Sequence, residues 1–256
     1  VGPSLPDTHA HLDDPDLWDR LDVVVEHARE AGIGRILAVG SDLASSRRAV
    51  EAARRAPIVY AAVGVHPHNA DRFEDERKEV EALLDAEKVV AVGEIGLDYY
   101  RSGASRESQI QAFAAQLEWA RRRDIPASVH NREADADVLG LIGASGARVV
   151  MHAFSSGPDT AETALNLGAL ISFAGNVTFP RAEALRAVAR DIPAGRILVE
   201  SDAPVLAPQP RRGRTNEPAY AMYTAACLAE VRDVDRDLFS EQVRATADRT
   251  FHWGSA

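Results

Sequence analysis

Val89-Val90-Ala91-Val92-Gly93-Glu94-Ile95-Gly96-Leu97-Asp98 is the stretch from which the rest of the chain can be read. Residues 89–93 form a short run with no polar side chain, and a carboxylate stands at its end. A strand open to water on one face alternates apolar and polar residues, whereas a continuous run suits a strand covered on both faces, as in a parallel sheet. Glu94 then lies where such a strand emerges, with Gly93 and Gly96 leaving room for other groups to approach.

The same construction recurs on both sides of it. Apolar runs over residues 4–7, 35–40, 58–65, 89–93, 126–129, 148–151, 169–173 and 196–200 make eight candidate strands. Helical patterns occupy 16–31, 45–56, 73–86, 105–123, 158–167, 181–190, 217–231 and 235–251. The clearest is 105–123, where Ile110, Phe113, Leu117 and Ala120 share a face, Ser105 is placed to cap the first turn, and Pro126 follows the end. Eight strands alternating with helices predict a (β/α)8 TIM barrel, one domain over residues 1–256 with a flexible N-terminal segment at 1–4. Its active site belongs at the C-terminal strand ends. An open doubly wound sheet shares the alternation, but no Gly-x-Gly-x-x-Gly phosphate loop follows Asp7.

Composition narrows the function. With 46% hydrophobic and 27% charged residues over 256 positions the chain can form a substantial core. A net charge of -10 argues against a protein that coats duplex nucleic acid, which needs a basic face. The lone Cys227, in the helical stretch 222–231, allows no intrachain disulfide, fits a reducing compartment and reads as a small buried apolar residue. There is no apolar stretch near the ~20 residues that cross a bilayer and no secretory pattern at the start, so cytoplasmic location is the expectation. Lysine is confined to Lys78 and Lys88, which we ascribe to coding bias.

Six of the eight histidines, and two carboxylates, fall at the ends of these runs. His9 and His11 are two apart on an extended segment and point the same way, so both imidazoles can serve one ion. Glu94 offers two oxygens and can bridge two cations. His130 and His152 end neighbouring strands five and six, and with Glu94 they can hold a second ion. Asp202 closes strand eight, which in a barrel returns beside the first, and so completes the His9/His11 site and can accept a proton from an attacking water. Glu200 points to the same face as Asp202 and supports it or orients substrate. Asp98 either touches substrate and ligands or anchors its loop. His66 and His68 read as phosphate or substrate contacts, or as a solvated turn around Pro67. Arg212 and Arg214, in the basic loop 211–214, either grip an anion or merely precede the next helix. His27 and His252 read as structural.

These residues resemble the TatD-type metal-dependent hydrolases of the amidohydrolase superfamily. The likeness runs from Asp7 to about Phe251 and rests on Asp-Thr-His-Ala-His at 7–11, Gly-Val-His-Pro-His at 64–68, Gly-Glu-Ile-Gly-Leu-Asp-Tyr-Tyr at 93–100, His130, His-Ala-Phe-Ser at 152–155, Glu-Ser-Asp-Ala-Pro at 200–204 and Asn-Glu-Pro at 216–218. The resemblance implies two divalent cations, one held by His9, His11, Glu94 and Asp202 and the other by Glu94, His130 and His152. It associates His66 with substrate phosphate and Glu200 with activity. The chain departs from the pattern at Ala10 and Ala153, where the family has or often has Cys, at Val205, commonly Tyr, and at Asp248, often Asn. The expected function is a two-metal deoxyribonuclease acting on single-stranded or 3′ ends of DNA, with Mg, Mn or Zn. The rivals are hydrolysis of a small-molecule amide or other ester, and a metal-binding scaffold without catalysis. No obligate protein partner and no membrane are expected.

Overall fold

In the computed structural model, which describes residues 4–101 and 103–253, the eight strands join in chain order into one parallel sheet. Residues 1–3 of the expected N-terminal segment lie outside the described residues. The strands are β1 (Leu5–Ala10), β2 (Ile33–Val39), β3 (Val59–Val63), β4 (Val89–Asp98), β5 (Ala127–Arg132), β6 (Val149–Met151), β7 (Leu170–Phe173) and β8 (Ile197–Val199). Just past β8 the sheet returns to β1, with Asp202 N–H donating to the His9 carbonyl (3.0 Å), His11 N–H to that of Ala203 (2.8 Å), and a parallel bridge between Ala10 and Ala203. The result is the expected (β/α)8 barrel, nearly closed.

The helices are α1 (Pro15–Trp18), α2 (Leu21–Ala31), α3 (Leu43–Arg55), α4 (Phe73–Leu83), α5 (Arg106–Arg123), α6 (Asp135–Ser145), α7 (Pro158–Asn166), α8 (Glu183–Asp191), α9 (Ala221–Val231) and α10 (Arg236–Phe251). Ser105 caps α5 by accepting from Ser108 N–H. Two expectations need correction. The segment 16–31 is two helices, broken between Trp18 and Leu21. The expected set also left no helix between strands five and six, where α6 stands; its Gly140 and Gly143 lower helix propensity, and its crowded apolar residues give no clean stripe.

Strand residues of alternate parity divide between two cores. Ile36, Ala38, Val92, Ile95, Leu97, Val129, Met151 and Val199 belong to the large cluster under the helices. Leu37, Val39, Ala62, Ala91, Val150 and Leu198 form the smaller barrel interior, closed by Phe251 at the end of α10 and Trp253 just beyond it. In β4 the inward parity changes, because Ala91 is interior while Ile95 and Leu97 face helices. A register shift between Val92 and Ile95 against β5 accommodates this. Glu94, Gly96 and Asp98 therefore turn inward, although unbroken alternation from Ala91 would have sent Glu94 outward. Gly93 and Gly96 hold φ of +155° and +140°, and a Cβ on Gly96 would collide with the His130 carbonyl oxygen.

Candidate metal centre

Inward parity also places Ser128 and His130 on β5, Ser172 on β7, His152 just past β6, and Glu200 and Asp202 just past β8 around one rim. Glu94, His130 and Asp98 lie within strands rather than beyond them, because β4 and β5 run longer than their apolar runs. The Glu94 carboxylate is buried among five imidazoles. Its Oε2 lies 3.7 Å from His9 Nε2 and 3.3 Å from His11 Nε2, while Oε1 lies 2.8 Å from His130 Nδ1, 3.2 Å from His152 Nε2 and 3.3 Å from His66 Nε2. Asp202 Oδ1 is 3.8 Å from His11 Nε2. Within each of three sets, His9/His11/Glu94, His9/His152/Asp202 and His66/Glu94/His130, the donor atoms all lie within 4.8 Å of one another.

The ring nitrogens are sorted by what lies behind them. Glu200, fully buried, accepts from His152 Nδ1 (2.8 Å), Ala153 N–H (2.8 Å) and Ser172 Oγ (2.5 Å). That puts the proton of a neutral His152 on Nδ1 and turns a bare Nε2 toward Glu94. His9 Nδ1 pairs with Ser128 Oγ at 2.9 Å, again presenting Nε2. His130 faces Glu94 through Nδ1 and Asp98 Oδ2 through Nε2 (3.2 Å), so Asp98 is placed to hold its proton on the far side. Such carboxylate or hydroxyl partners behind an imidazole fix its tautomer and raise its basicity. His66 is different. Its Nδ1 accepts the His68 amide (3.1 Å), so a neutral ring carries its proton on Nε2, which makes it a donor in this arrangement although it stands within the ligand cluster.

Bare nitrogen lone pairs aimed at a carboxylate call for positive charge between them. Burial pulls His11 down, but the Glu94 hydrogen bond and charge, then Asp202, outweigh it and raise the ring to about 9. His152 is driven well up, burial being overcome by the charges of Glu200 and Glu94, and Glu94 is held well below the usual carboxylate range because the His66 and His152 charges outweigh its burial. His9 and His66 are lowered to about 4, chiefly by burial. Burial raises Asp202 to about 6, against the pull of His152 and His11. The donor set of imidazole nitrogens around a two-oxygen bridge, with a second acid at one side, fits divalent cations.

The remaining expected residues are spread round this centre. Asp98 both anchors its loop and touches rim histidines: Oδ1 accepts Tyr100 N–H (3.0 Å) and Arg101 N–H (2.9 Å), while Oδ2 meets His130 and His68 Nε2 (2.9 Å). Arg212 and Arg214 are exposed. The Arg212 guanidinium sits 4.0 Å from the centroid of Phe179, which lines a cleft of about 470 Å³ together with Ser155, Asn176 and Leu185. Cys227 is half-buried rather than buried, since its helix position is only partly covered. Asp248, one of the departures, pairs with Arg35 (3.3 Å) and Arg244 (3.5 Å) and accepts from Trp253 Nε1 (3.0 Å), a role remote from the rim cluster in kind.

Sequence reading missed the supports. Asp7 is buried and accepts from Ser201 N–H (2.8 Å) and Oγ (2.6 Å), tying β1 to the turn that carries Asp202; burial pushes its carboxyl up to about 8. Asn216 donates to the carbonyls of Ser201 and Val205, each at 2.7 Å, holding the same turn. Ser128 and Ser172 interrupt apolar strands at inward parity, and that interruption was the available signal.

Residues 6–252 match the sequence profile of the family described as TatD related DNase. The chain belongs to the TatD family. This TatD-family chain is 42% identical over 235 residues to the metal-dependent hydrolase TatD of Mycobacterium tuberculosis, covering 88% of the chain and 89% of the relative. It is 36% identical over 238 residues to a protein of Edwardsiella piscicida named 3′-5′ ssDNA/RNA exonuclease TatD, covering 89% and 92%. The crystal structure of YjjV, a TatD homologue from Escherichia coli, superposes with a TM-score of 0.89 at 28% identity, over 98% of each chain. The family is one of metal-dependent hydrolases, and the rim cluster is where this TatD-family hydrolase can hold its metal. Among the described residues no helix is long and apolar enough to cross a membrane.

Proposed function

We propose that the protein is a two-metal deoxyribonuclease that removes nucleotides from single-stranded or 3′ ends of DNA in the cytoplasm. The observation that carries this is the division of five imidazoles between the two oxygens of Glu94, with Asp202 beside one group. His9, His11, Glu94 and Asp202 would hold one cation, and Glu94, His130 and His152 the other; Mg, Mn and Zn all suit such mixed donors. Divalent cations bound there supply Lewis-acid polarisation of a phosphoryl oxygen and ionise an attacking water near neutral pH.

The chain's own groups do the rest. Asp202, raised toward neutrality by burial, takes the proton of the attacking water. Glu200 keeps the Nε2 lone pair of His152 aimed at the centre. His66, with its Nε2–H facing the centre, is placed to donate to a phosphate oxygen, and His68 to assist it, while Arg212 and Arg214 meet the next phosphate. A net charge of -10 suits capture of a chain end at one pocket better than wrapping of a duplex. The exonuclease name of the Edwardsiella relative supports the same substrate class.

The test is metal analysis of protein purified without chelator, followed by reconstitution with each metal and a panel of end-labelled single-stranded DNA and small amides or esters. Two metal equivalents and release of nucleotides from a 3′ end are expected, with hydrolysis lost in Asp202→Ala. Amide hydrolysis without DNA cleavage would overturn the nuclease reading in favour of the small-molecule one, and metal binding without any hydrolysis would favour a scaffold.

A further inference from the structure

Beyond the metal centre, the rim carries a stacked pair that the reaction as described does not use. Arg132 shares the inward parity of His130 on β5, and its guanidinium lies 4.1 Å from the centroid of the Tyr100 ring. Tyr100 is 58% exposed, one of the few large apolar surfaces left open. Its neighbour Tyr99 is turned the other way and spent on structure: its hydroxyl donates to Asp137 (2.6 Å), and Arg106 stacks on its ring. Tyr100 has no comparable partner for its hydroxyl among the described residues.

Arginine pairing sharpens the contrast. On the helical ring, Arg29, Arg55, Arg77, Arg121 and Arg122 sit within ion-pair distance of Asp or Glu. Among the described residues, no carboxylate pairs with Arg132. In an acidic protein a guanidinium that no carboxylate among the described residues pairs with, lying over an open aromatic ring at the mouth, is available for a negative group that comes from outside.

The pair is also wired to the centre. Asp98 receives the Tyr100 and Arg101 amides on one oxygen and His130 and His68 on the other, so one buried carboxylate fixes the Tyr100 loop relative to two rim histidines. Tyr99 N–H extends the strand ladder to the Arg132 carbonyl (2.9 Å), holding the two segments side by side. We propose that Tyr100 and Arg132 form a nucleotide-binding platform on the β4–β5 side of the mouth: a base of the single strand stacks on Tyr100, and Arg132 meets the adjoining phosphate. This inference rests on the nuclease reading and adds where the strand is gripped. Stacking on an aromatic ring tolerates any base, and an arginine beside it supplies charge and a fork of donors for phosphate.

The experiment measures binding of a short labelled single-stranded oligodeoxynucleotide in chelator, where affinity is read without cleavage, and then hydrolysis with metal restored. Tyr100→Ala is expected to weaken binding about 5- to 150-fold, the range for loss of one stacked base. Tyr100→Phe keeps the wild-type affinity, and an oligonucleotide with abasic sites at its 3′ end binds wild type and Tyr100→Ala alike. Arg132→Ala lowers the slope of log affinity against log salt by about 0.7, and Arg132→Lys restores the slope. With metal, Tyr100→Ala raises KM and leaves kcat nearly unchanged. Thermal unfolding of each variant, compared with wild type, identifies any that misfold, and for such a variant the Phe and Lys substitutions decide. Equal affinity of wild type and Tyr100→Ala for the intact strand overturns the platform while leaving the nuclease reading intact. A wild-type protein that neither binds nor cleaves single strands overturns both.

Discussion

Replacing Glu200 by Gln separates holding a metal ligand from touching the reacting groups. Glutamine keeps the side-chain shape but turns one acceptor oxygen into a donor. If the amide nitrogen took the Oε1 place, it would face both the His152 Nδ1–H and the Ala153 N–H. If it takes the Oε2 place, it meets only Ser172 Oγ, and that hydroxyl can turn, accept, and give its own hydrogen to Thr8 Oγ1 at 3.2 Å. Thr8 allows this because its hydroxyl already donates to the Val199 carbonyl (3.0 Å). The second orientation keeps all three existing partners bonded and leaves only the second hydrogen of the new amide without an acceptor, so the change weakens charge-assisted bonds and orphans a single donor. The difference between charged and neutral hydrogen bonds, together with the orphaned amide hydrogen, sets the cost at about 2–5 kcal/mol of stability, a fall of about 4–20 °C in Tm for a chain of this size.

Metal affinity suffers as well. His152 loses the carboxylate charge that raises its basicity, and losing such a partner behind a ligand costs about 10- to 100-fold in affinity. The assay is calorimetric titration of metal into chelator-stripped protein, with kcat for oligonucleotide hydrolysis followed as metal is raised to saturation. The expected result is weaker binding of one of two equivalents and recovery of kcat to within a few-fold at saturating metal. Unchanged metal affinity together with a kcat that stays more than about 100-fold down would show that Glu200 acts on the reacting groups, and the reasoning from its three buried hydrogen bonds would be wrong.

Asp202→Asn is expected to lower kcat by about 10²- to 10⁴-fold, and the wild-type kcat/KM to rise with pH through a limb at or below about pH 6, since burial raises this carboxyl to about 6 and a bound cation pulls it lower; a limb above pH 7 would remove Asp202 as the base. In metal-free protein, His11 is raised in the fold from 6.5 to about 9, so its contribution to stability is complete below pH 6.5 and is lost as pH rises through 9. Denaturant melts of stripped protein should show that decline, divalent cation should flatten it, and an apo stability that climbs over this window would contradict the assignment. Gly96→Ala puts a methyl against the His130 carbonyl at φ +140°, and we expect at least about 1–3 kcal/mol lost, with metal binding impaired. Gly140→Ala, in α6 with nothing within 4 Å of the added methyl, should instead stabilise by about 0.5–1 kcal/mol, and urea melts of the pair will show opposite shifts.

The unequal legibility of the chain follows from what a one-dimensional pattern can carry. Continuous apolar runs announce doubly covered strands, and chemistry-bearing residues at their ends announce a rim, so the barrel and the ring of His9, His11, Glu94, His130, His152 and Asp202 could be read from spacing. Which way a side chain points depends on register, and register can shift within a strand. Unbroken alternation from Ala91 would bury Glu94 under the helices; only the shift between Val92 and Ile95, with glycines to accommodate it, turns its carboxylate inward. Tautomers are further from sequence still. Whether His66 is a ligand or a donor is settled by an amide two residues along the chain, and whether His152 presents Nε2 is settled by Glu200, 48 residues away. His66 could therefore be read as a proposed substrate contact from the crowding of other ligand candidates, whereas the structure offers a different ground for that proposal: its Nδ1 lone pair is already occupied. The α6 helix was missed on similar grounds, since Gly140 and Gly143 are tolerated only because Val138 and Ile142 are buried against the barrel, a tertiary gain that propensity does not contain. A motif thus gives the inventory of a site, while the fold decides the protonation and direction of each member, and it is those that determine whether a residue binds metal, moves a proton or grips a phosphate.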